Sequence, residues 1–173
     1  MYDLIASEWH KHRQKPFPFV VEWAKGKKGK TIDIGCGTGR HSKLFKDVVG
    51  VDISEKMLEY YPFHGVKADA RSLPFDDESF DNAMLVAVLH HFKPKDQVKV
   101  LEEMYRVLKR RGKGIISVWY RKGKKEQIVS WGPAKRYYYF FTKSELESLV
   151  KSIGFNIERS YIYGKNIVVE VSK

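Results

Sequence analysis

Apolar and polar positions along the chain alternate between two rhythms. Short, mainly apolar runs stand at 31–34, 48–53 and 80–88, and the last, near-continuous, fits a parallel strand covered on both faces. Other stretches carry apolar residues every three or four positions. Val98, Leu101, Tyr105 and Leu108 share one face of a predicted helix over 95–109, which Gly112 closes. Leu146, Leu149, Val150 and Ile153 form a second stripe, opened by Thr142 and Glu145 as a capping box and ended by Gly154. Further strands are expected over 65–69 and 114–119, and a closing antiparallel hairpin over 155–163 and 166–171. At the start, Leu4, Ile5, Glu8, Trp9 and His12 fall near helical spacing, predicting a helix or loop–helix lid over 2–15. Pro16 and Pro18 interrupt it before a second helix over 19–24. A helix over 40–46 is expected after three alternating glycines, and Ser54 is expected to cap one carrying Met57 and Leu58.

Strands alternating with helices and then a hairpin describe an α/β fold. The expectation is a Rossmann-like, doubly wound, mostly parallel seven-stranded sheet with an antiparallel C-terminal hairpin, in a single domain. Such sheets bind ligands beyond the carboxyl ends of their strands, where strand order reverses. Arg40, Asp52, Asp69, Ala87, His90, His91, Trp119 and Arg121 are expected at those ends. Lys27, Lys28, Lys30, Lys109, Arg110 and Arg111 are expected at the opposite ends, away from any active site.

Composition narrows the classes. The 173 residues suit one domain with a real core. Cys36 is the only cysteine, which excludes an internal disulfide and a cysteine-based metal site. The longest apolar stretch, 83–89, is too short to span a bilayer, and no signal peptide opens the chain, so the cytosol is the expected compartment. The net charge of +11 favours polyanions. The competing explanation is a Lys-rich surface that serves solubility.

The candidate chemistry begins at Asp33-Ile34-Gly35-Cys36-Gly37-Thr38-Gly39-Arg40. Glycines belong where backbone takes positive φ or touches a ligand closely. The third glycine comes one residue earlier than in a dinucleotide fingerprint. Asp52, at the tip of the next apolar run, suits an acid that accepts both hydroxyls of a ribose. An ordinary strand–helix turn is the plain alternative. Together the two signals resemble class I S-adenosylmethionine (SAM)-dependent methyltransferases. That resemblance implies SAM as cofactor, with Gly35, Cys36, Gly37 and Gly39 against its methionine part and Asp33 orienting the loop or the sulfonium end. It also implies Asp52 and Ile53 at the ribose, Asp69 and Ala70 at the adenine, and Val86 and Ala87 lining the cofactor. Cys36 itself reads as a small packing residue. The Asp/Asn-Pro-Pro-aromatic motif of many amino-directed members is replaced by Val86-Ala87-Val88-Leu89. Cys36 is misplaced for cytosine C5 methylation, and an iron–sulfur cluster lacks its cysteines. Oxygen acceptors, reactive carbons and small molecules remain.

Further segments narrow the resemblance. These are Tyr2-Asp3-Leu4-Ile5-Ala6, Arg13-Gln14-Lys15-Pro16-Phe17-Pro18, Ala87-Val88-Leu89-His90-His91-Phe92, Val118-Trp119, Val129-Ser130-Trp131 and Arg136-Tyr137-Tyr138-Tyr139-Phe140-Phe141. Together they resemble the tRNA wobble-uridine carboxymethyl methyltransferases, over nearly the whole chain. The resemblance implies one methyltransferase domain over 1–173, with a helical lid over 1–25 and a catalytic core over 30–173. It implies methylation of the carboxylate of 5-carboxymethyluridine in tRNA. Arg13, His91, Trp119, Arg136 and Tyr137 are the carried-over catalytic positions. Arg13 or Arg136 would grip a carboxylate or phosphate, Trp119 or Tyr137 would stack on the base, and His91 would orient the acceptor, with His90 toward the core. A structural His pair is the alternative. Lys122, Lys124 and Lys125 are candidates for anticodon-stem phosphates, or a solvated loop. Eukaryotic members work with a small zinc-binding activator along the third strand, which places a possible partner near Phe63 and Val66. Two departures stand out: a short stretch between Trp119 and Trp131, and Tyr138-Tyr139 in place of Tyr-His. A small-molecule methyltransferase and a non-catalytic SAM-fold tRNA-binding subunit remain as competing readings.

Overall fold

The computed structural model describes residues 2–123, 125–131 and 134–173. Lys124, expected in the basic loop, lies outside the described residues. A 3₁₀ turn, Tyr2–Ile5, leads into α1 (Ala6–His12), and Pro18 opens α2 (Pro18–Ala24). Then come β1 (Thr31–Ile34), β2 (Val48–Asp52), α3 (Glu55–Leu58), β3 (His64–Lys67), β4 (Phe80–Val86) and α4 (Pro94–Val107). The chain finishes with β5 (Leu108–Trp119), β6 (Glu126–Trp131), β7 (Ala134–Tyr139), α5 (Lys143–Ile153), β8 (Asn156–Tyr163) and β9 (Asn166–Ser172).

Seven strands form one sheet in the order β3-β2-β1-β4-β5-β9-β8. The first five are parallel, and β9 joins β5 antiparallel as the inner arm of the terminal hairpin. Strand order reverses between β1 and β4, so a crevice opens beyond their carboxyl ends. On one face α4 and α5 bury Leu101, Met104, Leu146 and Val150 against Ile32, Leu85 and Ile116. On the other, Phe19, Val20 and Trp23 of α2 pack on Met84, Val86, Ile115 and Val168. A third cluster seats the N-terminal segment: Ile5 and Ala6 bury against Met57 of α3 and Ala134 of β7. No helix among the described residues is long and apolar enough to cross a membrane.

Local signals form as their chemistry demands. Ser54 Oγ accepts from the Met57 amide at 3.2 Å, capping α3. Thr142 and Glu145 make both bonds of the capping box, and Gly154 ends α5 at φ 113°. β3 is one of the two edge strands and is largely exposed, with Phe63 beside it.

Three expectations change. The helix over 40–46 is replaced by a single 3₁₀ turn, Ser42–Leu44. Ser42 Oγ donates to Asp33 Oδ2 at 2.6 Å and accepts from Tyr61 at 2.9 Å, tying the turn to the end of β1, and Phe45 leaves it extended. The helix over 95–109 stops at Val107, because Leu108 turns extended to pair with Phe80 and enters the core. Gly112 therefore lies inside a twelve-residue β5, where an added Cβ would stand 2.7 Å from the Lys109 carbonyl oxygen. The third change is a two-stranded ribbon, β6–β7, in a segment with no expected element. Its alternation buries Ala134, Arg136 and Tyr138 on one face and leaves Lys135 exposed and Tyr137 and Tyr139 half-buried on the other.

Candidate functional site

Gly35 and Gly37 turn the chain away from β1 at φ 73° and 53°. At Gly35 a side chain has no room as well, since a Cβ would stand 2.4 Å from Val88 Cγ2. Asp52, at the end of β2, fastens the loop. Its Oδ2 accepts the Gly37 amide and its Oδ1 the Ser54 amide, each at 2.9 Å. Burial holds its carboxyl above the usual range against those two bonds. Asp33 lies beneath the loop, fully buried, and burial pushes it up to about 6 despite the Ser42 hydroxyl and Arg40.

A cavity of about 470 Å³ opens over this loop at the carboxyl ends of β1, β2 and β4. Gly35, Cys36, Gly37, Asp52, Ile53, Asp69, Ala70, Val86 and Ala87 line one part of it. Ala87 takes φ 60°, an uncommon conformation for a residue with a side chain, while its amide donates to the Ser117 carbonyl at 2.9 Å and to Ser117 Oγ at 3.1 Å. Strain of this kind clusters at ligand sites. Asp69 is gripped bidentately by Arg71, with Nη2 at 2.7 Å from Oδ2 and Nε at 3.0 Å from Oδ1.

The opposite part is built from the Leu89–His91 turn, the ribbon and the N-terminal segment. His91 and Tyr137 line the cavity, as do Tyr2 and Trp9. His91 Nδ1 lies 3.0 Å from the Tyr137 carbonyl oxygen. A carbonyl only accepts, so Nδ1 carries the proton and Nε2 is left with its lone pair. Burial lowers the ring to about 4, so it is neutral at ordinary pH. His90 faces the core, 1% exposed, and its Nδ1 accepts the Trp119 amide at 3.2 Å. Tyr138 stacks on His90 at 5.1 Å and packs edge-on to His91 at 4.5 Å.

Over residues 32–116 the chain matches the family model described as a methyltransferase domain. An uncharacterised protein of Methanocaldococcus jannaschii is 36% identical, over 81% of this chain and 71% of that protein. The chain belongs to the methyltransferase family. A tRNA (carboxymethyluridine(34)-5-O)-methyltransferase of Schizosaccharomyces pombe is 29% identical to this methyltransferase, over 91% of this chain and 87% of that one. A Xenopus tropicalis protein named for the same activity is 33% identical over 78% of this chain, which spans only 24% of that protein. Among solved structures, a Thermotoga maritima SAM-dependent methyltransferase, described as a possible histamine N-methyltransferase, superposes with a TM-score of 0.78. It is 25% identical, over 99% of this chain and 98% of that one.

Within this methyltransferase, five expected site residues do not line the cavity. Asp33 and Gly39 sit behind the loop, Gly39 against Tyr61 and Pro62. Trp119 stands behind His90 and Tyr138, at 5.8 and 5.1 Å between ring centroids. Arg136 is buried, its guanidinium 5.8 Å from the Trp9 ring and 5.3 Å from the Tyr138 ring. Arg13 lies 5.4 Å from the Trp9 ring. The alternation of β7 pairs Arg136 with Tyr138, not Tyr137, so Tyr138 joins the histidine cluster. Sequence reasoning missed the wall supplied by Tyr2, Asp3 and Trp9. Its trace was the apolar spacing of the N-terminal segment, together with an acid that reaches Ser54 Oγ at 2.7 Å.

Proposed function

We propose that this methyltransferase binds SAM in the cavity and esterifies the carboxylate of a 5-carboxymethyluridine at the tRNA wobble position. The observation that carries the reading is the single shared cavity. The glycine loop and Asp52 form one wall, and Trp9, His91 and the β7 ribbon form the other.

On the donor side, the backbone of Gly35, Cys36 and Gly37 is read as lying against the methionine part. Asp52 is read as taking the ribose hydroxyls. Each of its oxygens keeps a lone pair after accepting one amide. Exposed Ile53 would cover the adenine with Ala70, and Asp69 would take the amino group on a lone pair not used by Arg71. Val86 and Ala87 would form the floor, with Asp33 and Gly39 supporting the loop from behind.

Bound SAM supplies a methyl group on a sulfonium. That methyl would pass to the acceptor oxygen, the S–CH₃ bond breaking as the O–CH₃ bond forms, to leave a thioether and a methyl ester. The acceptor carboxylate, with a pKa near ~4, is already ionised, so no proton moves. The protein's task is alignment in a water-poor site. Neutral His91 has no N–H left to offer a carboxylate, so the grip is assigned to Arg13 or Arg136, which flank the Trp9 wall of the cavity; Tyr137 would lie beside the base, with Trp119 backing the His90–Tyr138 stack. The net charge of +11 and exposed Lys122 and Lys125 support a phosphate-bearing acceptor, as do the activities for which the fission-yeast and frog relatives are named. The β3 edge, with Phe63 exposed and Val66 half-buried, is read as the docking line for a small zinc-binding activator. Residues 1–25 act as a lid on a core over 30–173.

The test is transfer of labelled methyl from SAM to tRNA followed by mild base. The expected label is released by saponification. Label that survives base puts the methyl on another atom, and label found only on a small acceptor overturns the RNA assignment.

A further inference from the structure

A second, smaller cavity of about 330 Å³ opens between the loop that follows β5 and the segment that joins β7 to α5. It shares no lining residue with the first. Buried Phe140 and Phe141 and half-buried Tyr120 line it, together with exposed Arg121, Lys122 and Lys125. No carboxylate is among the described residues that line it.

The cations around this cavity differ in how far they are engaged. Lys125 is paired with Glu145. Arg121 Nη1 donates to Gln127 Oε1 at 2.8 Å, and its guanidinium lies 6.0 Å from the centre of the Phe140 ring. A neutral amide and a ring set the direction of a guanidinium without cancelling its charge. Lys122 has no ion pair among the described residues. The Tyr120 amide donates to the Lys165 carbonyl oxygen at 2.8 Å, which brings the β8–β9 turn and exposed Lys165 alongside.

The outer face of the β6–β7 ribbon joins the two cavities. Tyr137 lines the first and Phe141 the second. Half-buried Tyr139 stands between them on the face of Tyr137, edge-on to Phe141 at 4.8 Å. Opposite Tyr137, Ile128 is 59% exposed. Four residues of extended chain span at most ~14 Å, so one short RNA loop can reach both cavities. Rings and an aliphatic side chain suit unpaired bases along that strip. Glu126, opposite Tyr139, is an acid on the same face, which disfavours phosphates there and leaves Arg121 and Lys122 to take them.

We propose that this second cavity takes a nucleotide of the acceptor RNA other than the one that reacts, its phosphate on Arg121 and Lys122 and its base against Tyr120. The inference rests on the RNA reading above and adds to it a second point of contact. Charge-assisted N–H bonds recognise the phosphate, and the ring face recognises any base.

The probe is a hairpin RNA carrying 5-carboxymethyluridine, with its other loop bases replaced one at a time by abasic sites. Its affinity is measured for protein loaded with S-adenosylhomocysteine. In the wild type, one loop position outside the reactive uridine should cost at least fivefold when abasic. In Tyr120→Ala, and in Tyr120→Leu, which keeps apolar bulk without a ring, that position should lose its effect, and Tyr120→Phe should restore it. Arg121→Gln should raise the KM for the hairpin at least fivefold and reduce the slope of log affinity against log salt by about 1. Affinity for S-adenosylhomocysteine should be the same in all of these variants, which a general loss of folding would not allow. Uridine monophosphate tests for a free ligand: micromolar binding that Tyr120→Ala abolishes, with no such position in the hairpin, assigns the cavity to a free nucleotide and overturns the inference. A hairpin that binds well with no position coupled to Tyr120 overturns it too, while leaving the reaction standing. A wild-type protein that binds S-adenosylhomocysteine but not the hairpin overturns the RNA reading, and this inference with it.

Discussion

Ser42 Oγ donates to Asp33 Oδ2 at 2.6 Å beneath the glycine loop, and both residues are buried. The bond fastens a loop that has no following helix to brace it. Its acceptor is a carboxyl that burial raises to about 6. A folded pKa above the unfolded value of about 3.9 means that the stabilising contribution is complete below that value and lost as pH rises through about 6. At pH 7.5 ionised Asp33 therefore costs stability. Asp33→Asn should raise the unfolding free energy there by on the order of 2 kcal/mol and do little at pH 4. Denaturant midpoints at the two pH values check this. A variant that is less stable at pH 7.5 would show that the charge is compensated by the loop.

Asp52 fixes two amides, those of Gly37 and Ser54, each at 2.9 Å. Asp52→Ala orphans both and removes the acceptor assigned to the ribose. SAM affinity should fall by about 1.5–3 kcal/mol, at least tenfold in Kd, measured by calorimetry. Unchanged affinity ends that assignment.

These two carboxylates show what the chain made legible. Asp33, Gly35, Gly37 and Asp52 could be placed because a parallel strand, a turn and a strand-end acid each leave a local mark. The capping box at Thr142 and Glu145 and the αL residue Gly154 were legible for the same reason. What escaped was set by contacts far apart in sequence. The turn at Ser42 replaces a helix because Tyr61, nineteen positions on, shares its hydroxyl. The β6–β7 ribbon was hidden because tyrosines fill both of its faces, so burial does not alternate with residue type. That ribbon decides that Tyr138, not Tyr137, meets the histidines.

Tyr61 also fills the space left by glycines. A Cβ on Gly50 would stand 2.3 Å from Tyr61 Cζ and 2.7 Å from Cys36 Sγ. Gly50 is in the middle of β2, between β1 and β3, so the backbone has little freedom to retreat. Gly50→Ala should destabilise by about 1–3 kcal/mol. Tyr61→Phe, which removes only the bond to Ser42, should cost about 0.5–1.5 kcal/mol. Thermal unfolding of both separates packing from hydrogen bonding. A Gly50→Ala protein as stable as wild type would show that Tyr61 and Cys36 can retreat, and an unchanged Tyr61→Phe would show that the bond to Ser42 contributes nothing.

Lys122 and Lys125 differ in availability. Lys125 is engaged by Glu145 and lies 5.2 Å from the Tyr139 ring, whereas Lys122 is exposed. Lys122→Glu should weaken tRNA binding and reduce the slope of log affinity against log salt by about 1. Lys125→Gln should change it less. Filter binding between low and moderate salt measures both, and an unchanged slope for Lys122→Glu removes the loop from the RNA contact.

His91 carries the clearest pH signature. Its Nδ1–H is given to the Tyr137 carbonyl and burial lowers the ring to about 4, with Arg136 acting in the same direction. A folded pKa below the unfolded value of about 6.5 contributes stability that is present above pH 6.5 and lost as pH falls toward 4. His90 and His41, also lowered by burial, act in the same sense, so stability should drop across that window. The rate of methyl transfer, in contrast, should show no limb from His91 between pH 6 and 8, because the ring never charges there. Nitrogen-15 NMR of the imidazoles should report a neutral Nδ1–H form at pH 6, and His91→Asn, which cannot reproduce the ring's contact with Tyr138, should lower kcat with no new pH dependence. A His91 titration near 6.5 that tracks the rate would instead make it an imidazolium donor to the acceptor carboxylate, and would move the grip from the arginines to the histidine.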